Sequence, residues 1–244
     1  MPLSISCLLL SFMILPVVKA GSNIETDKVH RELVTSKTHI TNSRTIEAYS
    51  NLLYDSLHLD DLGLSKEAIY YAYKGQQYLE DKGVLTNPDI LTVCDFSQPS
   101  NQKRMYIIDV KNFQVLMNTY VAHGKNSGVT YAERFSNRPE SLESSLGFYI
   151  TKNTYSGKHG LSLRLAGLDK GYNDNAEERA VVVHGAPYIG DQRLHSAYMG
   201  RSWGCPAVPQ QLAPEVINLI KNGTCLFIYH PSQSYLHGST ILNG

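Results

Sequence analysis

The spacing of apolar positions changes near Pro88, and this change separates a helical region from a strand-rich region. Across residues 44–87 apolar side chains recur three and four positions apart, as at Ile46 and Tyr49, which is typical of amphipathic helices. Ser65 is a candidate N-cap for a second helix, because its hydroxyl can accept a hydrogen bond from an amide of the first turn. We therefore predict a short helical N-terminal extension over residues 44–87.

Short runs rich in β-branched and aromatic residues follow this extension, and clusters of turn-forming residues separate them. One short helix, with Pro214 near its start, precedes the last run. Strands outnumber helices, so the predicted fold class is mainly β with α (α+β), with a main domain over residues 88–232 and a tail over residues 233–244. The predicted strands cover residues 90–93, 104–110, 113–117, 146–151, 161–165, 180–184 and 224–229.

The N-terminal stretch at residues 1–20 is apolar, is too short for a comfortable membrane span, and ends in Ala20 before a polar sequence. We expect a secretory signal peptide at residues 1–20 and a flexible polar segment at residues 21–43. The stretch lacks a basic start, so an uncleaved signal anchor is the alternative. We therefore expect export, with no stable membrane span after cleavage.

The charges of the chain are balanced. Lysine and arginine together number 22, and aspartate and glutamate also number 22. A chain without net charge has no overall field that would draw it to nucleic acid. The sequence contains no zinc-finger spacing, no Walker loop and no Gly-x-Gly-x-x-Gly motif after a predicted strand. We therefore expect no nucleic-acid partner and no cofactor.

The cysteines allow one disulfide at most. Cleavage after Ala20 would remove Cys7 and leave Cys94, Cys205 and Cys225. Three cysteines in an oxidising compartment form no more than one intramolecular disulfide. A Cys94–Cys225 bond with Cys205 free is one arrangement, and the sequence leaves the other pairings and free thiols open.

A candidate nucleophile and a candidate base occur in the second half of the chain. The apolar run at residues 181–183 ends at His184, where the imidazole would be partly desolvated yet accessible. Cys205 lies in the stretch SWGC, after a loop that contains several glycines. A thiol becomes a strong nucleophile when a neighbouring histidine takes its proton. The amides around Gly204 and Cys205 could point at a developing oxyanion.

Each of these residues also has a structural interpretation. Cys205 could be a small buried hydrophobe, and His184 could be a histidine that is satisfied at a strand end. A zinc site made of His184, His195 and Cys205 is a further alternative, but this spacing matches no standard ligand pattern. We favour the nucleophile and the base, and we expect no metal.

The His-Gly pair at 184–185, followed by SWGC at 202–205, resembles the signature of the murein L,D-transpeptidase (YkuD-like) catalytic domain. The stretches at 121–128 and 145–169 are similar to the branch of that family with Ser-x-Gly-Cys-Pro-Ala in the active site. The resemblance covers residues 88–230, and the helical region before them is similar to the N-terminal extension of that branch.

The resemblance implies the mostly β L,D-transpeptidase catalytic fold and a role for each residue of the signature. Cys205 would be the nucleophile, and His184 would be its general base. The carbonyl of Gly185 would orient the imidazole, and amides near Gly204 and Cys205 would form the oxyanion hole. Ser202 belongs to the same signature.

The substrate of the family is the tetrapeptide stem of bacterial peptidoglycan, so the resemblance implies stem peptides as partners. The thiolate attacks the carbonyl of the third residue, usually meso-diaminopimelate, and releases the terminal D-alanine. Transfer of the acyl group to an amine of another stem gives a cross-link. Transfer to water would instead make the protein an L,D-carboxypeptidase or a related hydrolase, and a non-catalytic cell-wall-binding module is the other alternative.

The resemblance also implies that carbapenems are covalent inhibitors and, with the signal peptide, that the protein crosses the inner membrane to the periplasm or cell envelope. Two positions depart from the wider family, because Trp203 replaces a histidine and Ala207 stands where Asn or Arg is frequent. The group that binds stem carboxylates must therefore lie elsewhere, and a guanidinium suits that role. The candidate substrate-binding residues are His123, Lys158, Arg164, Arg193, Arg201 and Trp203.

Overall fold

The structure, a computed structural model, describes residues 43–244, and residues 44–244 form one compact unit. The predicted signal peptide and the predicted flexible segment up to residue 42 lie outside the described residues. Within residues 43–244, no helix is both long enough and apolar enough to cross a membrane.

Two helices form the N-terminal region, as the spacing of apolar residues predicts. Helix α1 covers residues 43–56, and α2 covers Lys66–Asp81. The hydroxyl of Ser65 accepts a hydrogen bond from the amide of Ala68 at 3.1 Å, so Ser65 is the N-cap of α2. Lys82 is the C-cap of the same helix. Both predicted helices are therefore present.

The rest of the chain forms one eight-stranded mixed sheet with short helices. The order of its strands is β3-β2-β1-β8-β4-β5-β6-β7. The β1–β8 and β6–β7 pairs are parallel, and the other neighbours are antiparallel. This architecture confirms the predicted fold class. The strands are β1 (Ile90–Asp95), β2 (Met105–Asp109), β3 (Gln114–Thr119), β4 (Gly147–Gly157), β5 (Gly160–Gly167), β6 (Val182–Ala186), β7 (Ala207–Pro209) and β8 (Cys225–Tyr229).

Strand β7 is the strand that the sequence pattern did not predict. It has three residues, and a run of that length is too short to show a period. It pairs in parallel with β6 at the edge of the sheet, where Ala207 lies opposite His184. Because Cys205 lies two residues before Ala207, this short strand brings the candidate nucleophile to the strand that carries the candidate base.

The helical extension and the sheet share one hydrophobic core. Phe148 of β4 stacks on Phe227 of β8, with ring centroids 4.1 Å apart, and both rings are buried. Gly75 of α2 lies directly against the Phe148 ring, so the helix approaches the sheet closely. Helix α3, Ala213–Ile220, packs against β5 and β6 and supports the site strands.

Replacing Gly75 with alanine should destabilise the fold, because the new Cβ would overlap the buried Phe148 ring. Overpacking costs about 1–3 kcal/mol, and the better helix propensity of alanine offsets up to about 1 kcal/mol of that. We expect the free energy of unfolding in urea to fall by about 2 kcal/mol. Glu80→Ala, on the exposed side of α2, is the control and should change it by less than about 0.5 kcal/mol. An unchanged urea midpoint for Gly75→Ala would contradict the close packing of α2 on β4.

The C-terminal residues 233–244 pack on the domain and do not form the tail that the sequence suggested. They form α4 (Gln233–Gly238) and α5 (Thr240–Asn243). Tyr235 is buried, and its hydroxyl donates a hydrogen bond to Oδ2 of Asp169 at 3.1 Å. Two helices of this length are too short to show a helical period in the sequence, which explains the difference.

Cys94, Cys205 and Cys225 are free thiols. On the parallel strands β1 and β8, Cys94 lies opposite Ile228 and Cys225 lies opposite Leu91. The two cysteines are therefore offset by about 10 Å along the strands, which exceeds the Cα separation of about 7 Å that a disulfide permits. The alternative of a Cys94–Cys225 disulfide is wrong.

Candidate active site

His184 lies on β6, which is buried along its whole length. Its Nδ1 is 2.9 Å from the carbonyl oxygen of Gly185. Because a carbonyl oxygen only accepts hydrogen bonds, Nδ1 carries the proton and Nε2 is left to accept one. His184 therefore has the tautomer that a general base needs.

The surroundings of His184 keep its imidazole neutral at pH 7. Burial lowers the pKa of His184 below its ordinary value, the hydrogen bond to Gly185 opposes this, and His159 and Lys158 lower the pKa further. His159 stacks on the His184 ring, with centroids 4.4 Å apart. It belongs to the turn between β4 and β5, and an isolated histidine in a turn gave no sequence signal for a place in the site.

The stretch SWGC is a loop held by hydrogen bonds to itself and to a neighbouring segment. The amide of Ser202 donates to the carbonyl of His123 at 2.9 Å, and the Ser202 hydroxyl donates to the carbonyl of Cys205 at 2.6 Å. Gly204 has a φ of +123°, and a Cβ there would lie 2.8 Å from the carbonyl oxygen of Glu143. The loop therefore needs glycine at 204 and holds Cys205 in a defined place.

One of the two amides expected in the oxyanion hole is already used. The amide of Gly204 donates to the hydroxyl of Ser202 at 3.1 Å. The amide of Cys205 instead favours negative charge on its own sulfur. When this sulfur attacks a carbonyl group, the oxyanion that forms on the carbonyl oxygen would therefore depend on the Cys205 amide and on other positive groups nearby.

Cys205 is half-buried, and its sulfur contacts two backbone groups. The amide of Val182 donates to Sγ at 3.5 Å, and the thiol donates to the carbonyl of Ala180 at 3.7 Å. Burial raises the pKa of the Cys205 thiol, whereas the Val182 amide and the charge of Arg179 oppose that rise. The resting thiol is therefore protonated at pH 7, and it needs a base to become a nucleophile.

The imidazole lies on β6, and the thiol lies in the loop that leads into the adjacent strand β7. The two groups are near each other because β6 and β7 pair in parallel, with His184 opposite Ala207. Within residues 43–244, no hydrogen bond joins Sγ of Cys205 to the His184 ring. Proton transfer therefore needs a closer approach of the two groups, as catalytic hydrogen bonds often tighten only when substrate binds.

Arg179 is a site residue that the sequence did not indicate. Its guanidinium donates to the carbonyls of Ser136 and Glu143, both at 2.7 Å, and its charge favours the Cys205 thiolate. It belongs to a polar stretch before β6 that has the composition of an ordinary solvated turn. Arg179 comes near the sulfur only through the tertiary fold, so the sequence pattern does not indicate it.

Trp203 is 70% exposed and lies in the same loop as Cys205. The ammonium groups of Lys125 and Lys158 lie 5.9 Å and 5.4 Å from the centre of its ring. These cation–π contacts hold two positive charges close to the loop. Two of the predicted substrate-binding residues, Trp203 and Lys158, are therefore brought together beside the candidate nucleophile.

Three other predicted substrate-binding residues make contacts within the protein. His123 is fully buried, with Nδ1 2.8 Å from the guanidinium of Arg104, so its side chain does not line an open surface. Arg201 donates to two backbone carbonyls, and Arg193 lies over an aromatic ring. Arg164 differs from them, because it lines an open cavity together with the backbone segment that contacts Sγ.

The histidines and the cysteine of the alternative zinc site are not gathered in the described structure. Among residues 43–244, the one group of side chains placed to share a metal ion is His58, Asp60 and Asp61. All three are exposed, in the turn that follows α1.

Comparison with known proteins gave one family and several distant structures. The family model described as the L,D-transpeptidase catalytic domain matches residues 61–229. An L,D-transpeptidase from Mycobacterium smegmatis is 13% identical, with a TM-score of 0.36, and the match covers 58% of this chain and 59% of that chain. The structure of LdtMt1 in complex with imipenem is also 13% identical, with a TM-score of 0.36. That match covers 58% of this chain and 59% of that chain.

A third similar structure is the helical cell shape determining protein Pgp2 from Campylobacter jejuni. It is 12% identical, with a TM-score of 0.38, and the match covers 66% of this chain and 57% of that chain. The chain thus covers less than two thirds of the length of each of these structures. The comparison with curated proteins gave no match.

Proposed function

Since this chain belongs to the L,D-transpeptidase catalytic domain family, we propose that it is an exported cysteine acyltransferase that acts on peptidoglycan stem tetrapeptides. The observation that carries the proposal is a neutral His184, with Nε2 free, on the strand that pairs with the strand after Cys205. The apolar stretch at residues 1–20 supports export, and the proposed place of action is the periplasm or cell envelope.

In the proposed first step, Nε2 of His184 takes the proton of the Cys205 thiol as the sulfur attacks the carbonyl carbon of the third stem residue. The oxyanion that forms accepts a hydrogen bond from the Cys205 amide and is stabilised by the charge of Arg179. His184 then gives its proton to the amine of the leaving D-alanine. The product is a thioester between Cys205 and the third residue.

In the proposed second step, an amine of another stem attacks the thioester. His184 takes the proton of that amine and returns it to the departing thiolate, which restores the neutral pair. The exposure of Trp203 beside Cys205 supports access by a second stem. Attack by water along the same path would release a tripeptide, which is the L,D-carboxypeptidase alternative.

The reaction is tested by incubating the protein with purified disaccharide-tetrapeptide and analysing the products by mass spectrometry. We expect a cross-linked dimer that has lost one D-alanine. A tripeptide without any dimer would support the L,D-carboxypeptidase, and the absence of both products would contradict both reactions.

We also propose that carbapenems acylate Cys205, since one of the similar structures is a complex with imipenem. The β-lactam carbonyl would take the place of the stem carbonyl in the first step. An increase in intact mass by one imipenem molecule, located on the peptide that contains Cys205, is the expected result.

A further inference from the structure

Ser144 is a fully buried serine that joins the SWGC loop to a neighbouring segment. Its Oγ accepts a hydrogen bond from the amide of Gly124 at 3.0 Å, and its hydroxyl donates to the carbonyl of Gly204 at 3.2 Å. An amide N–H only donates, so it occupies a lone pair of the hydroxyl and leaves the single hydroxyl proton for Gly204. The Gly124 amide therefore helps to direct the proton of Ser144 towards the loop.

The Gly204 carbonyl that Ser144 binds belongs to the same peptide group as the amide of Cys205. This peptide bond is trans, and the C=O and N–H of a planar trans peptide point in opposite directions. The hydroxyl on the oxygen therefore keeps the Cys205 N–H turned away from Ser144. That amide lies near the sulfur, since it favours negative charge on Sγ.

Glycine at position 204 makes this orientation easy to lose. Gly204 has a φ of +123°, and without a Cβ its backbone can rotate and turn over the peptide group that follows it. The Ser202 hydroxyl binds the amide of Gly204 and the carbonyl of Cys205, which lie on either side of that peptide group. Within residues 43–244, Ser144 is the side chain that binds the group itself.

The Cys205 amide is left available to a substrate. Within residues 43–244, no oxygen accepts a hydrogen bond from it. The amide of Gly204 is already used by Ser202. The orientation of the one available backbone donor therefore depends on the hydroxyl of Ser144.

We propose that Ser144 is a positioning residue for acyl transfer, because its hydroxyl holds the Gly204 carbonyl so that the Cys205 amide points at the oxygen of the carbonyl group that Sγ attacks. The inference rests on the proposed function for the identity of the nucleophile. It adds a residue that touches neither the thiol nor the reacting carbonyl group.

The role of Ser144 is limited to reactions that create an oxyanion. When Sγ bonds to a carbonyl carbon, the π electron pair moves to the oxygen, and the Cys205 N–H stabilises that charge until the leaving group departs. Alkylation of the same thiol by iodoacetamide forms a bond between sulfur and carbon as iodide leaves, and it creates no oxyanion. The two reactions therefore separate the positioning of the amide from the reactivity of the thiol.

Ser127 offers a matched control within the same part of the fold. It is also fully buried, and its hydroxyl donates to the amide of Ser144 at 2.9 Å. Its hydroxyl makes no hydrogen bond to residues 202–205. Ser127→Ala therefore disturbs the segment that carries Ser144 without removing the contact to the Gly204 carbonyl.

The test compares two reactions of Cys205 in the full chain, acylation by p-nitrophenyl acetate with release of p-nitrophenolate and alkylation by iodoacetamide. Peptide mapping by mass spectrometry assigns the modified residue. We expect Ser144→Ala to lower the rate constant of acylation by about 10²-fold, the lower limit for the loss of one oxyanion donor. The rate constant of alkylation should not change. Ser144→Thr keeps the hydroxyl and should restore acylation, and Ser127→Ala should leave both rate constants unchanged.

The other results would overturn the assignment. Equal losses of both rate constants in Ser144→Ala, or the same loss of acylation in Ser127→Ala, would make Ser144 a structural residue of the loop. Unchanged acylation in Ser144→Ala, or acylation that Ser144→Thr does not restore, would show that the hydroxyl does not orient the amide. Alkylation of the buried Cys94 and Cys225 in Ser144→Ala would show an unfolded chain and would assign Ser144 to folding.

Neither reagent is a fragment of peptidoglycan, so this test is separate from that of the proposed function. The expected loss in Ser144→Ala, with no product from disaccharide-tetrapeptide in the unsubstituted chain, would overturn the proposed function and leave Ser144 assigned. A cross-linked product from the unsubstituted chain, with unchanged acylation in Ser144→Ala, would overturn the inference and leave the proposed function in place.

Discussion

We expect Cys205→Ala to reduce kcat/KM for the release of D-alanine from the stem tetrapeptide by about 10⁴-fold or more. The substitution removes the proposed nucleophile. Among the three described cysteines, Cys205 is the one that is not fully buried. Alanine keeps the volume of the position close to the original, and the loop keeps its hydrogen bonds through the backbone and Ser202. The measurement is the initial rate of D-alanine release at saturating and at low substrate concentration.

The control for this variant is Cys94→Ala, which removes a thiol that is buried in β1. It should affect stability but leave kcat/KM unchanged, because the Cys94 side chain does not reach the site. Activity retained by Cys205→Ala, with a folded circular dichroism spectrum, would place the nucleophile elsewhere.

His184→Gln is expected to lower kcat by about 10²–10⁴-fold, the contribution of a positioned general base. Glutamine is close to histidine in size but has no basic nitrogen. His195→Gln is the matched control, because His195 is exposed and lies in the loop before the nucleophile. It should retain kcat.

The pH profile separates a base from a merely structural histidine. His184 must be neutral to accept the thiol proton, and burial lowers its pKa below the ordinary value of 6.5. Activity is therefore present above that lowered pKa and is lost as pH falls through it. The acidic limb of kcat/KM should lie below pH 6.5 in the unsubstituted chain and should be absent in His184→Gln. An acidic limb that is unchanged in the variant would contradict the role of His184.

Elements with a clear pattern of apolar residues could be predicted from the sequence. The stripe of α2 and its Ser65 cap gave the helix, and the apolar run before His184 gave β6. The three-residue strand β7 and the short helices α4 and α5 gave no pattern, because three residues show no alternation and one or two helical turns show no helical period. Strand β7 nevertheless brings Cys205 close to β6, because it follows Cys205 and pairs with β6.

The local residues of the site could also be predicted, but their surroundings could not. The sequence indicated His184 and Cys205 from a strand end and a glycine-rich loop. It did not indicate Arg179 or His159, since their approach to the sulfur and the imidazole is a tertiary contact. It also did not show that His123 is fully buried against Arg104, because an internal partner of that kind is distant in sequence.

The acidity of the thiol is a second property that depends on the fold. A motif that pairs a histidine with a cysteine suggests that the thiol is already ionised at neutral pH. Burial raises the pKa of Cys205 and lowers that of His184, so both groups are neutral before substrate binds. The pair therefore transfers its proton during attack, as a general base does, and does not rest as a thiolate and an imidazolium.

The central claim is that Cys205 carries the acyl group, and trapping the acyl-enzyme tests it most directly. The protein is mixed with stem tetrapeptide without an acceptor, quenched in acid within the first turnovers, and digested for peptide mapping by mass spectrometry. The account predicts a tripeptide acyl group on the peptide that contains Cys205, and no such mass in Cys205→Ala. Product release without any adduct on that peptide, or an adduct on a different residue, would contradict it.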